Sequence, residues 1–427
     1  MGRGIAALSV LASFAIPVQM GASAAAQDAT PPPNATPAVQ PLDQRFMESL
    51  TRGHYLEAMD MVEQADPSEV NDLVQSTYGQ FRPVLDGFVV NGAAPDPSVT
   101  PDDAELAAYD GAEAQDAIAA IVSRARLTRI VIVNEAHDNP RDRAFILKVA
   151  EALRPLGFTH YAAETFTNFS PDAAAEEMGW LESQGYPRWT SGTFTVDPMF
   201  AYLVRRVLAL GYHPVAYETA FSPEFLAAST EDRIALREQA QAENLVRALA
   251  EAGPDAKFLI HVGYAHAGER PLPPTEQGWM AARLAGLTRI DPLTVDQTTF
   301  AETASNQKVR ALQRVLASRL AAGPAIFFKD GKPVSSGQLG QAVDLQVVHS
   351  LVTAVDGRPD WLRETGRRSI AIPPELLPIE GRRLVQVFAA GEAPDAIPLD
   401  QALVTAGEEL PVLYVPDNVG LRWAVQD

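Results

Sequence analysis

The stretch from Arg129 to Phe166, RIVIVNEAHDNPRDRAFILKVAEALRPLGFTHYAAETF, constrains the fold more than any other part of this chain. Arg129 to Asn134 is a short run rich in Ile and Val, which is typical of a strand buried on both faces of a parallel sheet. A helical pattern follows, and His160 to Ala163 forms a second apolar run. Strand, helix and strand in this order predict a βαβ unit.

The helix between these two strands has clear signals at both ends. Asn139 can accept a hydrogen bond from the first free N–H groups, Pro140 suits the first helical position, and Asp142 complements the positive end of the helix dipole. Pro155 and Gly157 are typical of a helix end. We therefore expect one amphipathic helix to connect the strands.

Polar residues follow both strands. Glu135 and His137 come directly after the first strand, and they point to the same side if the backbone is still extended there, because the strand period is two. Glu164 follows the second strand. Ligands of open parallel sheets bind beyond the carboxyl ends of the strands, so these three residues are candidates for a functional site.

The alternation of strands and helices continues along the chain. The predicted helices are Phe200 to Leu210, Ile234 to Ala252, Gln277 to Leu284 and Lys308 to Leu320, and the predicted strands are His213 to Tyr217, Lys257 to Val262, Arg289 to Val295 and Ala325 to Lys329. This alternation predicts an α/β fold in which helices flank a mostly parallel central sheet.

The regions before and after this core have a different character. Residues 42–103 show helical spacing and predict an N-terminal helical cap, whereas residues 104–330 form the α/β core domain, which opens with a helix from Ala104 to Arg126. Residues 331–427 contain short apolar runs, which indicate a β-rich C-terminal appendage or the last strands of the sheet. Residues 167–199, with Trp180 and Trp189, are either a lid over the site or a surface insertion.

The first 41 residues predict export. Residues 1–26 combine Arg3, an apolar run from Ile5 to Val18 and small residues, which is the pattern of a signal peptide. A retained membrane anchor is the alternative, but the apolar run falls short of the roughly 20 residues that span a bilayer. Residues 27–41 are rich in Pro, Ala and Thr and predict a disordered linker. We expect a periplasmic or secreted protein without an integral membrane segment after cleavage.

Composition excludes several classes of partner and site. The 427-residue chain has no cysteine, so it can form neither a disulfide nor a thiolate metal site. Its formal net charge of −20 argues against nucleic acid and against anionic lipid surfaces, because both require a basic patch. We expect a small molecule or a peptide as the substrate.

Acidic and histidine side chains from distant segments are expected to meet at one edge of the sheet. A carboxylate that binds an imidazole fixes its tautomer and raises its basicity, so the ring can activate water against an ester or amide carbonyl. Imidazole and carboxylate groups also suit Zn, Mn, Fe or Co. The residues expected to meet are Glu135, His137, Glu164, Glu218, His261 and His266, and all of them except Glu218 are candidate metal ligands.

Several of these residues also have a structural interpretation. His261 lies inside an apolar strand and is either a site residue or a hydrogen-bonded core residue. Arg141 and Arg143 lie on the first turn of the helix, where they either bind an anionic substrate group or an oxyanion or form a solvated helix face. The histidines expected to be structural are His54, His160, His213 and His349.

The motifs as a set resemble a known superfamily. NEAHDN at 134–139, AETF at 163–166 and VGYAH at 262–266 are similar to motifs of the superfamily that contains erythromycin esterases, ChaN-like haem-binding uptake proteins and Tiki/TraB metalloproteases. REQAQAEN at 237–244 resembles a helix of the esterase branch, whereas Asn134 replaces the usual glycine. The resemblance covers roughly Leu127 to Phe300 and implies that His137 is a general base oriented by Glu135 or Glu164.

Two hypotheses follow from these residues. The first is an exported hydrolase in which His137 activates water, Glu135 and Glu164 orient it or protonate the leaving group, and His266 stabilises the developing charge or completes a divalent-metal site. The second, implied by the resemblance, is a haem- or metal-binding uptake protein that uses the same residues as ligands without turnover.

Overall fold

The computed structural model describes residues 40–85, 96–167, 170–220, 222, 225, 227–272, 278–301, 304 and 306–427. The predicted signal peptide, 1–26, and all of the predicted linker except residues 40 and 41 lie outside the described residues.

Helices are distributed over most of the described chain. They are α1 (Leu42–Thr51), α2 (Tyr55–Glu63), α3 (Asp72–Leu85), α4 (Asp103–Ala108), α5 (Ala117–Ala125), α6 (Pro140–Leu153), α7 (Pro171–Gln184), α8 (Pro198–Ala209), α9 (Thr230–Ala252), α10 (Met280–Thr288), α11 (Gln307–Ala317) and α12 (Gly337–Gly340).

Strands are concentrated in the middle and the C-terminal part of the chain. They are β1 (Glu113–Asp116), β2 (Ile130–Glu135), β3 (Phe158–Ala163), β4 (His213–Ala216), β5 (Lys257–Gly263), β6 (Leu293–Asp296), β7 (Ala325–Lys329), β8 (Lys332–Pro333), β9 (Leu345–Gln346), β10 (Ala354–Val355), β11 (Arg358–Pro359), β12 (Arg368–Ile370), β13 (Arg382–Ala389), β14 (Asp400–Thr405), β15 (Leu413–Val415) and β16 (Leu421–Gln426).

The central sheet has six parallel strands in the order β4-β3-β5-β2-β6-β9. The predicted α/β fold with a parallel sheet between helices is therefore confirmed. β5 lies between β2 and β3, so that His261 is beside Val133 on one side and beside Ala163 on the other. This register places the carboxyl ends of three strands side by side.

The strand period of two assigns the apolar residues of β2 to the two faces of the sheet. Val131 and Val133 pack in one cluster with residues of α6 and α8, whereas Ile130 and Ile132 pack in another cluster with residues of α9 and α10. Every residue of β2 is buried. Because both faces are covered by helices, the Ile/Val run of this strand is continuous rather than alternating.

The N-terminal helices pack as a small unit. Residues of α1, α2 and α3 share an apolar cluster with Val196 and Ala201 and with Leu384 and Ile397 of the C-terminal region. The predicted helical character of the first part of residues 42–103 is thus present as α1, α2 and α3. We call these three helices the cap.

Two sequence-based expectations differ from the structure. The expected helix from Ala104 to Arg126 is instead divided into helix α4, a turn with Gly111 at φ +70°, strand β1 and helix α5. The N-cap residue of α5 is Asp116, whose side chain accepts a hydrogen bond from the Ala119 N–H. The strand Ala325–Lys329 exists, but it pairs antiparallel with β1 and β8, outside the central sheet. Its pairing partner β1 is short and polar, so the sequence pattern gives no signal for it.

The C-terminal region is rich in short antiparallel strands. β13 pairs with β14 and β16 in one sheet, and β12 pairs with β15 in another. β9, which also falls within residues 331–427, instead pairs with β6 and closes the central sheet. Both interpretations of this region, an appendage and the last strands of the sheet, therefore apply to different parts of it. Among the described residues, no helix combines the length and apolar character needed to cross a bilayer.

Candidate functional site

The carboxyl ends of neighbouring strands bring the predicted acidic residues to one edge of the central sheet. Glu135 is the last residue of β2, Glu164 directly follows β3, and Glu218 lies two residues beyond β4. The 3-10 turn Tyr264–Ala267, which contains His266, directly follows β5. The site is therefore located where open parallel sheets usually bind their ligands.

Glu135 is the centre of a buried hydrogen-bonded group. Its carboxylate accepts from Arg143 Nε and Nη2 at 2.8 and 2.9 Å. It lies 2.9 Å from Nδ1 of His137 and 2.8 Å from Nε2 of His261. Burial raises the pKa of this carboxyl, but Arg143 and His261 outweigh it, so the pKa lies well below its ordinary value. Glu135 is therefore an ionised acceptor.

Arg143 connects this group to the next segment of the chain. Its Nη2 also donates to the backbone oxygen of His137 at 2.8 Å, and its Nη1 donates to Asp197. Asp197 is the N-cap of α8 and accepts from the Met199 N–H at 2.7 Å. Burial lowers the pKa of the guanidinium, but Glu135 and Asp197 raise it by more, so Arg143 keeps its charge. Two carboxylates and one arginine thus form a fully buried ion-pair group.

The ionised Glu135 fixes the tautomers of both histidines. Because a carboxylate only accepts, His137 Nδ1 and His261 Nε2 must carry hydrogen. In the neutral form of each ring, His261 Nδ1 accepts from the Tyr161 hydroxyl at 2.7 Å, and His137 Nε2 carries the lone pair. His137 Nε2 is buried without a hydrogen-bond partner among the described residues. An imidazole in this state is suited to accept a proton from a bound molecule.

Glu164 is the centre of a second buried group. One of its oxygens accepts from Arg237, and the other accepts from the Gly263 N–H at 2.5 Å. His266 Nε2 lies 3.5 Å from the first oxygen. Burial raises the pKa of Glu164, but His266, Arg237 and the hydrogen bond from the Gly263 N–H help to lower it to about 2. Glu164 is therefore ionised as well.

Arg237, on α9, connects Glu164 to Glu218. Its Nε lies 3.1 and 3.0 Å from the two carboxylate oxygens of Glu218, and its Nη2 donates to both glutamates. Gln241, one turn further along the helix, donates to Glu218 at 3.1 Å. The acid that follows β4 is thus part of the same group as the acid that follows β3.

His266 lies between two carboxylates. Its Nδ1 is 2.7 Å from Glu238, which in turn accepts from the Met280 N–H at the start of α10 at 2.6 Å. Burial lowers the pKa of His266, but Glu238 and Glu164 raise it above the ordinary histidine value. His266 thus favours the imidazolium form and adds positive charge beside Glu164.

The two groups meet at Gly263. A Cβ on this glycine would lie 2.7 Å from His137 Nε2 and 3.2 Å from Oε2 of Glu164. The unpartnered nitrogen of His137 therefore faces the Glu164 carboxylate across a backbone position that has no side chain. His137 and His266 thus both lie beside Glu164 at the edge of the sheet where the sequence analysis expected these side chains to meet.

Aromatic rings surround the His137 imidazole. Phe194 stacks on it with ring centroids 3.9 Å apart and planes 16° apart, and Tyr264 meets it edge-on at 5.0 Å. The Tyr264 hydroxyl accepts from the backbone N–H of His137 at 3.2 Å. The backbone of Tyr264 has a φ of +41°. A left-handed tyrosine is uncommon, and such strain is concentrated at functional sites.

The structure gathers most of the predicted site residues but not all of them. Glu135, His137 and His261 belong to the first group, and Arg143 joins them; Glu164, Glu218 and His266 belong to the second group. Arg141 instead donates to the backbone oxygen and the hydroxyl of Ser350 at 2.6 and 2.8 Å. Its predicted role as a contact to substrate or oxyanion, like that of Arg143 and Glu218, stays a prediction.

A metal ion needs several side chains whose oxygen or nitrogen atoms converge on one point. In the described part of the chain, no group of three or more His, Asp or Glu side chains is arranged to hold a metal ion. Both oxygens of Glu135 and Oε1 of Glu164 are bound to arginines, Oε2 of Glu164 accepts from the Gly263 N–H, and His261 is bound on both ring nitrogens. The divalent-metal set predicted from the sequence does not fit this geometry, because most of its oxygen and nitrogen atoms already bind other groups of the described chain.

The remaining histidines were expected to be structural, and each of them has a contact outside the two groups of the site. His349 is buried and lies 3.1 Å from Gln297, His160 stacks on Phe258, and His54 and His213 are each paired with a surface glutamate.

Sequence reasoning missed several residues of the site: Tyr161, Phe194, Asp197, Arg237 and Glu238. Asp197 directly precedes Pro198, which is a signal for a helix start but gives no indication of a partner on another strand. Arg237 and Glu238 open the segment 237–244 that resembles the esterase helix, and that resemblance was the only signal for them in the sequence.

Comparisons with known proteins give only remote structural similarity. No protein-family model matches the chain, and no curated protein matches it. A solved structure described as bacterial protein toxins shares 16% identity with a TM-score of 0.33, and the match covers 56% of this chain and 55% of that one. The type III effector HopBA1 shares 12% identity with a TM-score of 0.33, covering 56% of this chain and 96% of that one.

A third structure is RRSP, a MARTX toxin effector domain from Vibrio vulnificus CMCP6, with 14% identity, a TM-score of 0.34 and coverage of 62% of this chain and 60% of that one. The match thus spans little more than half of the first structure and three fifths of the third. At these identities and TM-scores, none of the three similarities supports a conclusion about activity.

Proposed function

We propose that this protein is an exported hydrolase in which His137 is the general base that activates a water molecule against an ester or amide carbonyl. The observation that carries the proposal is the buried, unpartnered Nε2 of His137, whose lone pair is fixed by the bond between Nδ1 and the ionised Glu135. A polar atom that is buried without a partner is costly, so a bound molecule that donates to it gains stability.

Glu164 supports the same proposal. Its Oε2 accepts from the Gly263 N–H and faces His137 across that glycine. A water molecule that donated one hydrogen to His137 and one to Glu164 would keep an oxygen lone pair for the carbonyl. Arg237 and His266 keep Glu164 ionised at neutral pH, so it accepts rather than competes for the proton.

The proposal is tested with the mature protein on a panel of ester and peptide substrates. We expect hydrolysis by the parent and a loss of about 10²- to 10⁴-fold in kcat/KM in His137→Ala, which is the usual contribution of a general base. Glu135→Gln keeps the size of the side chain but replaces the carboxylate that accepts from His137 Nδ1 with a neutral amide, so a similar loss in kcat/KM is expected. His160→Ala removes a half-buried histidine that stacks on Phe258 near the start of β3, and it serves as the control.

Equal activity of His137→Ala and the parent, with both folded, would contradict the proposal. The same unpartnered nitrogen supports one alternative, an uptake protein in which His137 Nε2 would bind the iron of haem, since imidazole is a common ligand of haem iron. A haem absorbance band that is lost in His137→Ala, together with an inactive parent, would favour this alternative.

A further inference from the structure

The short 3-10 turn Phe194–Val196, with Asp197 behind it, contacts both halves of the His137–Glu135 pair. Phe194 covers one face of the His137 ring with a centroid distance of 3.9 Å. Asp197 binds Arg143, which in turn donates to Glu135 through Nε and Nη2. One four-residue segment thus touches the imidazole directly and reaches its carboxylate partner through a single arginine.

The cap holds the opposite side of this turn. Phe81 of α3 stacks on Phe194 with centroids 5.2 Å apart and planes 20° apart, and Phe46 of α1 lies 6.1 Å behind Phe81. The Tyr55 hydroxyl of α2 donates to the backbone oxygen of Val196 at 3.0 Å. A continuous column of aromatic rings therefore runs from the cap to the imidazole.

The body of the protein holds the backbone of the turn through hydrogen bonds and packs against part of the Phe194 side chain. The Phe194 N–H donates to the Thr165 hydroxyl at 2.7 Å, and the Thr193 N–H donates to the Thr165 backbone oxygen at 3.2 Å. The aromatic stacking contacts of Phe194 are with Phe81 on the cap side and with His137 on the site side.

We propose that Phe194 is a positioning residue for His137 and that the docked cap sets the orientation of the imidazole through the Phe81–Phe194 contact. The bond between Nδ1 and Glu135 fixes one end of the ring, and Tyr264 meets the ring edge-on at 5.0 Å. The parallel Phe194 ring at stacking distance adds the contact that limits tilting of the imidazole, so Nε2 stays directed toward Gly263 and Glu164. The catalytic meaning of this inference rests on the proposed function, whereas the positioning itself does not.

The test uses substitutions in the cap that do not touch His137. In Phe81→Leu and Tyr55→Phe we measure the ¹⁵N chemical shifts of the His137 ring nitrogens by NMR, assigned by their absence in His137→Gln, together with the rate of ester hydrolysis. We expect the Nε2 signal to shift or broaden and the rate to fall by about tenfold to a hundredfold, which is the usual effect of a small displacement of a reacting group. Phe194→Leu is expected to give the largest change.

The matched control is Phe327→Leu, which makes the same change at a buried phenylalanine of β7, next to Tyr109 and distant in the chain from the site. It should leave the His137 signals unchanged. If Phe81→Leu and Phe194→Leu fold cooperatively and their His137 signals equal those of the parent, the inference is wrong. If Phe194→Leu does not fold, Tyr55→Phe decides, since it removes only one hydroxyl group.

The two proposals fail in different ways. If the parent hydrolyses nothing but the cap variants still move the His137 signals, the positioning stands and the hydrolase proposal fails. If the parent hydrolyses the substrates with a His137-dependent rate and the cap variants change neither signal nor rate, only the positioning fails.

Discussion

Gly263 is the single residue on which the geometry of the site depends most directly. The backbone at this position runs between the His137 ring and the Glu164 carboxylate, and its N–H donates to Glu164. Its φ of −84° is open to any residue, so the glycine is required for space and not for backbone conformation. Close approach of a backbone to reacting groups is one of the standard uses of glycine.

Gly263→Ala is therefore expected to disrupt the site through the volume of the added Cβ alone, because alanine can adopt the backbone conformation at this position. The new Cβ would lie 2.6 Å from Cε1 of His137, a distance that forces the ring to move. We expect hydrolysis to fall by about 10²-fold, measured as kcat/KM on the substrate that the parent cleaves best. A crystal structure of the variant would show the displaced ring.

The control for this substitution is Gly179→Ala in α7. A Cβ there meets nothing within 4 Å, and the helix gains up to about 1 kcal/mol in the free energy of unfolding from the better helix former. Full activity in Gly263→Ala would mean that the reaction does not occur between His137 and Glu164.

At the scale of helices and strands, the segments with strong apolar periodicity were predicted well. β2, β3, β4 and β5 start and end within two residues of the expected positions, because buried parallel strands leave continuous runs of Ile, Val and Ala in the sequence. β1 was missed because all of its residues are exposed, and its pairing with β7 depends on tertiary contacts. Such a strand gives no periodic signal.

The site was predicted to the extent that it follows from the ends of strands. Glu135, His137 and Glu164 were found because the carboxyl end of a parallel strand is a place where ligands bind. Asp197 and Phe194 could not be found in this way, since they reach the site only through the packing of a turn that lies some 30 residues further along the chain. The bonds of Arg143 to Glu135 and of Arg237 to Glu164, which make these glutamates poor metal ligands, could not be predicted from the strand ends either.

One contact between elements predicts a dependence of stability on pH. Glu269 follows the 3-10 turn of the site, and its carboxyl accepts from the Thr294 hydroxyl of β6 at 2.5 Å. Burial raises the pKa of Glu269 from 4.5 to about 7, with a further contribution from Asp344 and Asp291. The folded protein thus holds this proton at a pH where the unfolded chain has lost it.

This raised pKa implies that stability is lost as the pH rises. The contribution of Glu269 is present in full below about pH 4.5 and disappears as the pH passes about 7. We expect the free energy of unfolding, measured by denaturant titration, to fall between about pH 5 and about pH 8, and Glu269→Gln to flatten this slope. Glu251→Gln at an exposed position of α9 should keep the slope of the parent; a parent-like slope in Glu269→Gln would disprove the assignment.

At the scale of the whole molecule, the ends of the described chain are joined. The side chain of Gln426 in β16 accepts from the Leu56 N–H at 2.9 Å and donates to the Gly53 backbone oxygen at 2.7 Å. Arg382 of β13 lies 2.8 Å from Glu63 and also binds Asp60 of α2. The cap is therefore held by the C-terminal sheet as well as by the turn that covers His137.

Gln426→Ala is expected to weaken this junction. It removes both bonds to the cap and leaves the Leu56 N–H and the Gly53 oxygen without this partner, which costs about 1–3 kcal/mol in the free energy of unfolding. Denaturant unfolding followed by tryptophan fluorescence measures the loss, because Trp189 lies directly against Gly53. Gln341→Ala, at an exposed position, should differ from the parent by less than about 0.5 kcal/mol, and an equal effect of both variants would contradict the role of Gln426.

The bond between Leu56 and Gln426 joins residues that are 370 positions apart. Closing a loop of this length costs conformational entropy before the contact can stabilise the chain. Docking of the cap onto β16 is therefore expected to belong to the late steps of folding.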